Sequence, residues 1–452
     1  MGAPIWKPGT CAALLWLVLG GAAETVQLVP DPALPVRFAL KNGLEVVLSE
    51  DPSLPVVAVA VAYRAGSIQE TEGRTGLAYL MEKLMMDAGG ENVAPFQHRN
   101  TIIRSGGTLN AEAFEDRTIF YQTVPSHLLA LVLWLESERM RSLVITEEVF
   151  DRTRFALLEE LRQRRFVEPY LPSLYTLDRL TYADFPYSHP LLGSENDVRN
   201  LTLEDVRAFA GEAFSPGNAV LVVAGQFAAA RVRDLIGRFF ETIPRGKPLP
   251  PLPSGDSSWT RRRIEQSVEE PFVPAPALYI AFRILSPRYP LEVNAMTILD
   301  YVLLRGRTSR LSRRLLNRDA KIAYQLSGGL ERRLDRFVYK IFVTASPTMI
   351  PACQSAVFSE LEKLRRTFVS EDELSRAKAR YRADLVGRTS TAADRAIYLA
   401  EEALALGLDG RTVDDLPAEQ AKTFAVSAKD IVGVMNRHFT VDNSIVLILT
   451  RK

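Results

Sequence analysis

Histidine is scarce in this chain: four in 452 residues, at positions 98, 127, 189 and 438. The nearest two are 127 − 98 = 29 residues apart, so no pair has the one-turn helical spacing that lets two imidazoles share a metal ion. Each reads as a packing or hydrogen-bonding histidine. Cysteine is scarcer still, with Cys11 and Cys353 alone. If the first residues are removed as a leader, 2 − 1 = 1 cysteine remains, which excludes an internal disulfide and leaves stability to core packing. Charge of one sign is not in excess. Lys and Arg number 55 and Asp and Glu 54, a net +1, which gives no general drive toward nucleic acid or an anionic membrane. The short runs Arg261–Arg263 and Arg332-Arg333 read as solvated faces. Beyond Leu19 no apolar run approaches the ~20 residues of a membrane span.

What is present is an ordinary globular composition, 47% hydrophobic and 24% charged, of a length for two or three domains. Lys7, the apolar run Ala12–Leu19 and the small residues Gly20 to Ala23 before Glu24 have the order of a secretory signal peptide over 1–23. Export follows; the alternative is an uncleaved leader that anchors the chain in a membrane.

Val36–Leu48 reads as two strands around the turn dipeptide Asn42-Gly43. Val56–Tyr63 reads as a strand buried on both faces. Leu77, Leu80, Met81 and Leu84 form the apolar stripe of a helix over 76–86. A strand region follows Gly106-Gly107, and long amphipathic helices cover 128–140 and 147–166. These blocks predict an α+β architecture. A Pro-rich stretch over 244–258 reads as an extended linker between an N-terminal domain, 24–243, and a C-terminal domain, 259–452. The two share a signature. Asp205, Phe214, Asn218 and the strand from Ala219 recur as Asp430, Phe439, Asn443 and the strand from Ser444, each displaced by 225 (430 − 205). This spacing predicts an internal duplication: two related halves forming a bilobed, clamshell-like chain.

Gly76-Leu77-Ala78-Tyr79-Leu80-Met81-Glu82-Lys83-Leu84 resembles the active-site helix of the pitrilysin/insulinase-like zinc peptidases. Gly106-Gly107-Thr108-Leu109-Asn110-Ala111, Trp134–Met140 and Tyr187-Ser188-His189-Pro190 resemble the blocks that follow it in that family. The family motif is the inverted H-x-x-E-H, in which two histidines one turn apart hold zinc and the Glu between them polarises a bound water. Here Tyr79 and Lys83 stand at the histidine positions. Glu82 keeps the base position, and Glu160 matches the family's third ligand. A protonated ammonium has no lone pair for a metal. The resemblance therefore implies a degenerate site with no metal in this chain and vestigial Tyr79, Glu82, Lys83 and Glu160. Lys83 is expected to contact Glu160, directly or through one water, in place of the metal. In the second half, Ile322-Ala323-Tyr324-Gln325 resembles the element that carries an Arg/Tyr pair toward the zinc centre. Tyr324 matches it, with Arg318 or Arg314 as its companion.

The resemblance thus implies a non-catalytic, peptide-binding subunit, similar to the degenerate bacterial members, of an exported, periplasmic heterodimeric peptidase. A related partner with an intact H-x-x-E-H motif would hold the zinc, and self-association is the other arrangement. Extended peptides would pair with the strand bearing Asn110 and Ala111. The alternatives are a stand-alone scaffold or peptide-binding protein, and an active metallopeptidase with unorthodox residues. No nucleic acid and no stable membrane span are expected.

Overall fold

The computed structural model describes residues 34–182, 185–249, 259–284, 290–317, 321–334 and 336–451. The leader at 1–23, residues 250–258 of the Pro-rich stretch and Arg318 lie outside the described residues. The first sheet holds β1 (Val36–Ala39), β2 (Glu45–Glu50), β3 (Val56–Tyr63), β4 (Thr108–Ala113), β5 (Thr118–Pro125) and β6 (Ala219–Gly225), in the order β1-β2-β6-β3-β5-β4. The second holds β7 (Ile264–Glu269), β8 (Ala277–Ile284), β9 (Gln325–Arg332), β10 (Phe337–Thr344) and β11 (Ser444–Thr450), in the order β7-β11-β8-β10-β9. Helices of the first half are α1 (Leu77–Asp87), α2 (Gln97–Arg104), α3 (Leu129–Arg141), α4 (Glu147–Val167), α5 (Leu171–Thr181), α6 (Phe185–Ser188), α7 (Glu195–Asn200), α8 (Leu203–Ala213) and α9 (Ala229–Phe240). Those of the second are α10 (Pro290–Leu303), α11 (Arg310–Leu315), α12 (Ile350–Arg366), α13 (Glu371–Gly387), α14 (Ala392–Gly407), α15 (Leu416–Ala425) and α16 (Ala428–His438).

With β1 set aside, the two sheets have one topology. β2 runs parallel to β6 as β7 does to β11, and the other neighbours are antiparallel. The duplication read from the sequence is therefore architectural. Helices α8 and α16 and strands β6 and β11 keep the 225-residue displacement at both ends (428 − 203, 450 − 225). The repeated residues have local reasons. Thr202 with Asp205 and Ser427 with Asp430 form capping boxes that satisfy backbone N–H groups of the first turn. Asn218 donates to the Ala213 carbonyl at 2.7 Å and Asn443 to the His438 carbonyl at 2.6 Å, each closing the otherwise unpaired end of its helix.

Strand β3 is buried on both faces, as its run of small and β-branched residues predicts. Val57, Val59 and Val61 face the core of the first half, beside Leu80, Leu84 and Val132. Ala58, Ala60 and Ala62 face Ala396, Leu399 and Ala403 of α14. That helix comes from the second half of the chain. In return, Leu177 of α5 packs against Ala281, Ile445 and Leu447 of the second sheet. β3 and β8 are displaced by 277 − 56 = 221, and so are α5 and α14 (392 − 171). The exchanged helices are thus the duplicates of one another, and alanines on the strands let each approach closely.

A buried ionic cluster ties the halves together and corrects one expectation. Arg333, read as part of a solvated face, is 4% exposed. It meets Glu115 at 3.0 Å and Asp178 at 3.2 Å from the first half, and Glu331 at 2.6 Å from its own. Lys340 adds contacts to Asp178 at 2.7 Å and Glu331 at 2.6 Å.

Candidate functional site

Helix α1 starts without a side-chain cap of its own. The buried Glu70 carboxylate supplies one across the preceding turn, accepting from the backbone N–H of Gly76 at 2.9 Å and Ala78 at 2.7 Å. Burial still holds the Glu70 carboxyl well above its usual value. Gly76 has φ +87, and a Cβ there would collide with the Leu192 carbonyl, so the entry to α1 requires glycine. With α1 so fixed, Tyr79, Glu82 and Lys83 project between α4 and the end of β4.

The structure brings Tyr79 and Glu160 together. The Tyr79 hydroxyl donates to Glu160 Oε1 at 2.7 Å. Arg164, one turn further along α4, donates to the same oxygen at 3.1 Å and to the Tyr79 hydroxyl at 3.2 Å. Burial and the Glu160 acceptor raise the phenol's pKa, so the phenol keeps its proton. Lys83 makes no direct ion pair with Glu160. Its ammonium lies 3.3 Å from Glu82 Oε1 and 4.7 Å above the Tyr79 ring. Against the burial that would lower it, Glu82, Tyr79 and Glu160 raise the Lys83 pKa. The cation facing Glu160 is Arg164, which the sequence reading missed. Its signal was the Glu160-x-x-x-Arg164 spacing, which places acid and base on adjacent turns. Glu82 is buried. Its burial raises the carboxyl pKa, and Lys83 works against that rise.

This donor set does not fit a zinc ion. A protonated phenol, an ammonium and a carboxylate already held by a guanidinium offer no two adjacent lone-pair donors to a dication. Among the described residues no group of three or more His, Cys, Asp and Glu side chains is placed to hold a metal. Three of the four histidines are engaged elsewhere, and His127 is exposed. His98 bonds Gln122 at 3.1 Å, His189 meets the carbonyls of Ser67 and Pro190, and His438 meets Glu292 at 2.9 Å.

Glu82 has a second task. Its Oε2 accepts from the backbone N–H of Ala113 at 2.8 Å. β4 is the last strand of its sheet. The pairing of Phe114 with Arg117 and the β4–β5 register turn the backbone groups of residues 110 and 112 toward β5, and those of 109, 111 and 113 outward. Glu82 therefore closes the edge at Ala113, and Leu109 and Ala111 offer their N–H and C=O groups. Asn110 is not one of these. Its backbone faces β5, and its side chain donates to the Tyr121 hydroxyl at 3.0 Å. Beside the cluster, Phe155, Ala156 and Val167 with Glu160 and Arg164 form a shallow, solvent-open hollow along one face of α4.

Tyr324 and Arg314 belong to the second half. Tyr324 precedes the edge strand β9, is 59% exposed, and is fixed by its backbone N–H on the Thr344 carbonyl at 2.7 Å. Arg314 is exposed near the end of α11.

A family model described as Insulinase (Peptidase family M16) matches residues 45–191, and one described as Peptidase M16 inactive domain matches residues 200–381. The zinc protease PqqE of Helicobacter pylori is 24% identical over 434 residues, 95% of this chain and 95% of that one. Among solved structures, a protease from Helicobacter pylori superposes with a TM-score of 0.84 at 24% identity, over 92% of this chain and 99% of that one. The periplasmic protease PqqL from Escherichia coli superposes with a TM-score of 0.73 at 15% identity. That match covers 94% of this chain but 48% of PqqL, so this chain spans about half the length of that protein.

Proposed function

Because the chain belongs to the insulinase-like peptidase family M16, we propose that it is a non-catalytic, peptide-binding subunit of an exported peptidase whose partner chain holds the metal. The observation that carries this reading is the Tyr79–Glu160–Arg164 hydrogen-bonded cluster at the place where the family motif puts its zinc ligands. It stands beside the edge strand β4, whose backbone groups at Leu109 and Ala111 point away from β5. Strand addition draws affinity from the backbone and tolerates sequence variation, while neighbouring hollows select side chains. The signal-like segment at 1–23 supports export, and the size of PqqL, about twice the matched length, supports a working unit built from two such chains.

Purification of the native complex tests the reading. A stoichiometric relative with an intact H-x-x-E-H motif, and zinc with peptide cleavage only when that chain is present, are expected. One tightly held zinc and peptide turnover in the isolated chain would refute it.

A further inference from the structure

The second half carries a cluster of arginines that the proposed function does not use. Residues 305–314 and 371–380 hold eight Arg and Lys against three Asp and Glu, 8 − 3 = +5, in a chain whose total is +1. The structure folds these two segments against each other. Arg310 of α11 grips Glu373 of α13 through both oxygens, at 2.8 and 2.7 Å. Arg313 reaches the same carboxylate at 3.7 Å. Against its partial burial, the Arg310 hydrogen bond and the fields of Arg310, Arg313 and Arg376 hold the Glu373 carboxyl below its usual value. Two guanidinium groups thus share one carboxylate, with a third, that of Arg376, near enough to act on it through its field. Next to them Gly306, at φ +83, lies so close beneath Arg380 that a Cβ would run into its guanidinium, which brings the exposed Arg307 and Arg380 onto the same face. Arg307, Arg376 and Arg380 make no ion pair among the described residues. Like charges gathered this way repel one another, and an anionic ligand offsets that repulsion.

The face adjoins Tyr324, the residue of the second half that the family resemblance turns toward the substrate. The carbonyl of Leu315, at the end of α11, accepts from the N–H groups of Ile322 and Ala323 at 3.2 and 3.1 Å. Arg314 and the exposed Tyr324 therefore flank one junction. The patch already holds a carboxylate in two-point geometry at Glu373, the geometry for which the guanidinium fork is suited.

We propose that this face binds an acidic stretch, rich in Asp and Glu, of the peptide that the chain takes. The proposal rests on the peptide-binding reading and gives it a substrate class. The test uses the full chain and two fluorescent extended peptides of equal length, one carrying three consecutive Asp or Glu and the other Asn or Gln in their place. The acidic peptide is expected to bind about tenfold tighter at low salt, as two or three half-exposed ion pairs would provide, with the difference collapsing at about 1 M salt. The double variant Arg376→Gln/Arg380→Gln should bring the acidic peptide down to the affinity of the neutral one and leave the neutral one unchanged. Arg307→Gln, on a turn outside the helices, should give part of that loss without disturbing α13. Equal binding of both peptides would overturn the acidic preference and leave the peptide-binding reading standing. Binding of neither would overturn both. Tighter binding of duplex DNA or of anionic vesicles than of the acidic peptide, lost in the same double variant, would assign the face to a polyanion and overturn the proposal.

Discussion

Tyr301 of α10 donates its hydroxyl to Asp384 of α13 at 2.8 Å, which repeats in the second half the bond that Tyr79 makes to Glu160 in the first. The tyrosines are displaced by 301 − 79 = 222 and the carboxylates by 384 − 160 = 224. The correspondence extends along the helix. Arg305 follows Tyr301 by four residues and lies 5.5 Å from its ring centroid, as Lys83 follows Tyr79 by four and lies 4.7 Å from its ring. It ends at the fourth member. Arg388 stands where Arg164 would be, but pairs with Glu401 of α14. The first half thus carries, at the family's metal position, the same helix-to-helix clasp as its duplicate.

A clasp contributes stability where a drifting remnant would not. Tyr79→Phe and Tyr301→Phe are each expected to lower unfolding stability by about 1 kcal/mol, the worth of one partly exposed hydrogen bond to a carboxylate. Urea unfolding of the two variants measures it. A Tyr79→Phe protein as stable as the parent would show that the bond to Glu160 contributes nothing.

Zinc should not bind the parent chain in stoichiometric amount. Installing the family ligands by Tyr79→His/Lys83→His should still give weak binding, because Arg164 occupies Glu160. Adding Arg164→Gln releases that carboxylate and should tighten zinc binding by at least tenfold over the double variant. Titration calorimetry with zinc alone decides it. Equal affinity of the double and triple variants would show that Arg164 does not compete.

Arg333 joins both halves through Glu115, Asp178 and Glu331. Arg333→Met leaves three carboxylates facing one remaining cation, Lys340, in a buried place. Loss of one partner from a buried ionic cluster costs about 3–5 kcal/mol, so the variant should unfold at markedly lower denaturant. A change below about 1 kcal/mol would remove the cluster from any role in holding the halves together.

Burial lowers the pKa of both His98 and His189. The folded chain keeps them neutral at pH values where the unfolded chain, with an ordinary histidine near 6.5, takes up protons. The unfolded state then binds more protons, so this contribution is complete above about pH 6.5 and is lost as pH falls through the lowered folded values. The stability difference between the parent and a His98→Gln/His189→Gln variant, followed by thermal unfolding, should be constant above about pH 6.5, and the parent should lose stability relative to the variant as pH falls below it. Parallel curves across that window would refute the assignment.

Tyr324 is exposed, so Tyr324→Phe should leave the melting temperature unchanged. If its hydroxyl meets the substrate carbonyl in the complex with a zinc-bearing partner, turnover should fall by about 10²-fold, with less change in peptide affinity. Reconstitution of the variant with the wild-type partner, followed by kcat and KM, separates the two effects. Unchanged turnover would make Tyr324 a surface residue of shape alone.

Much of this protein was determined by sequence locally. The two-faced burial of β3 follows from its Val and Ala alternation. The 225-residue repeat rests on capping boxes and on Asn218 and Asn443, whose roles are set within one helix and the strand after it. The loss of the metal ligands at Tyr79 and Lys83 is equally local, since a phenol and an ammonium have the same chemistry in any fold. The tertiary structure decided what those residues meet. Tyr79 rather than Lys83 meets Glu160, because the packing of α1 on α4 sets which side chain of α1 reaches that carboxylate. Arg333 is buried, because its place between the halves depends on Glu115 and Asp178, more than 150 residues away in the chain (333 − 178 = 155). The exchange of α5 and α14 was hidden for the same reason: an apolar helix face declares that it will be covered, but the sheet that covers it is chosen only when the two halves close on each other.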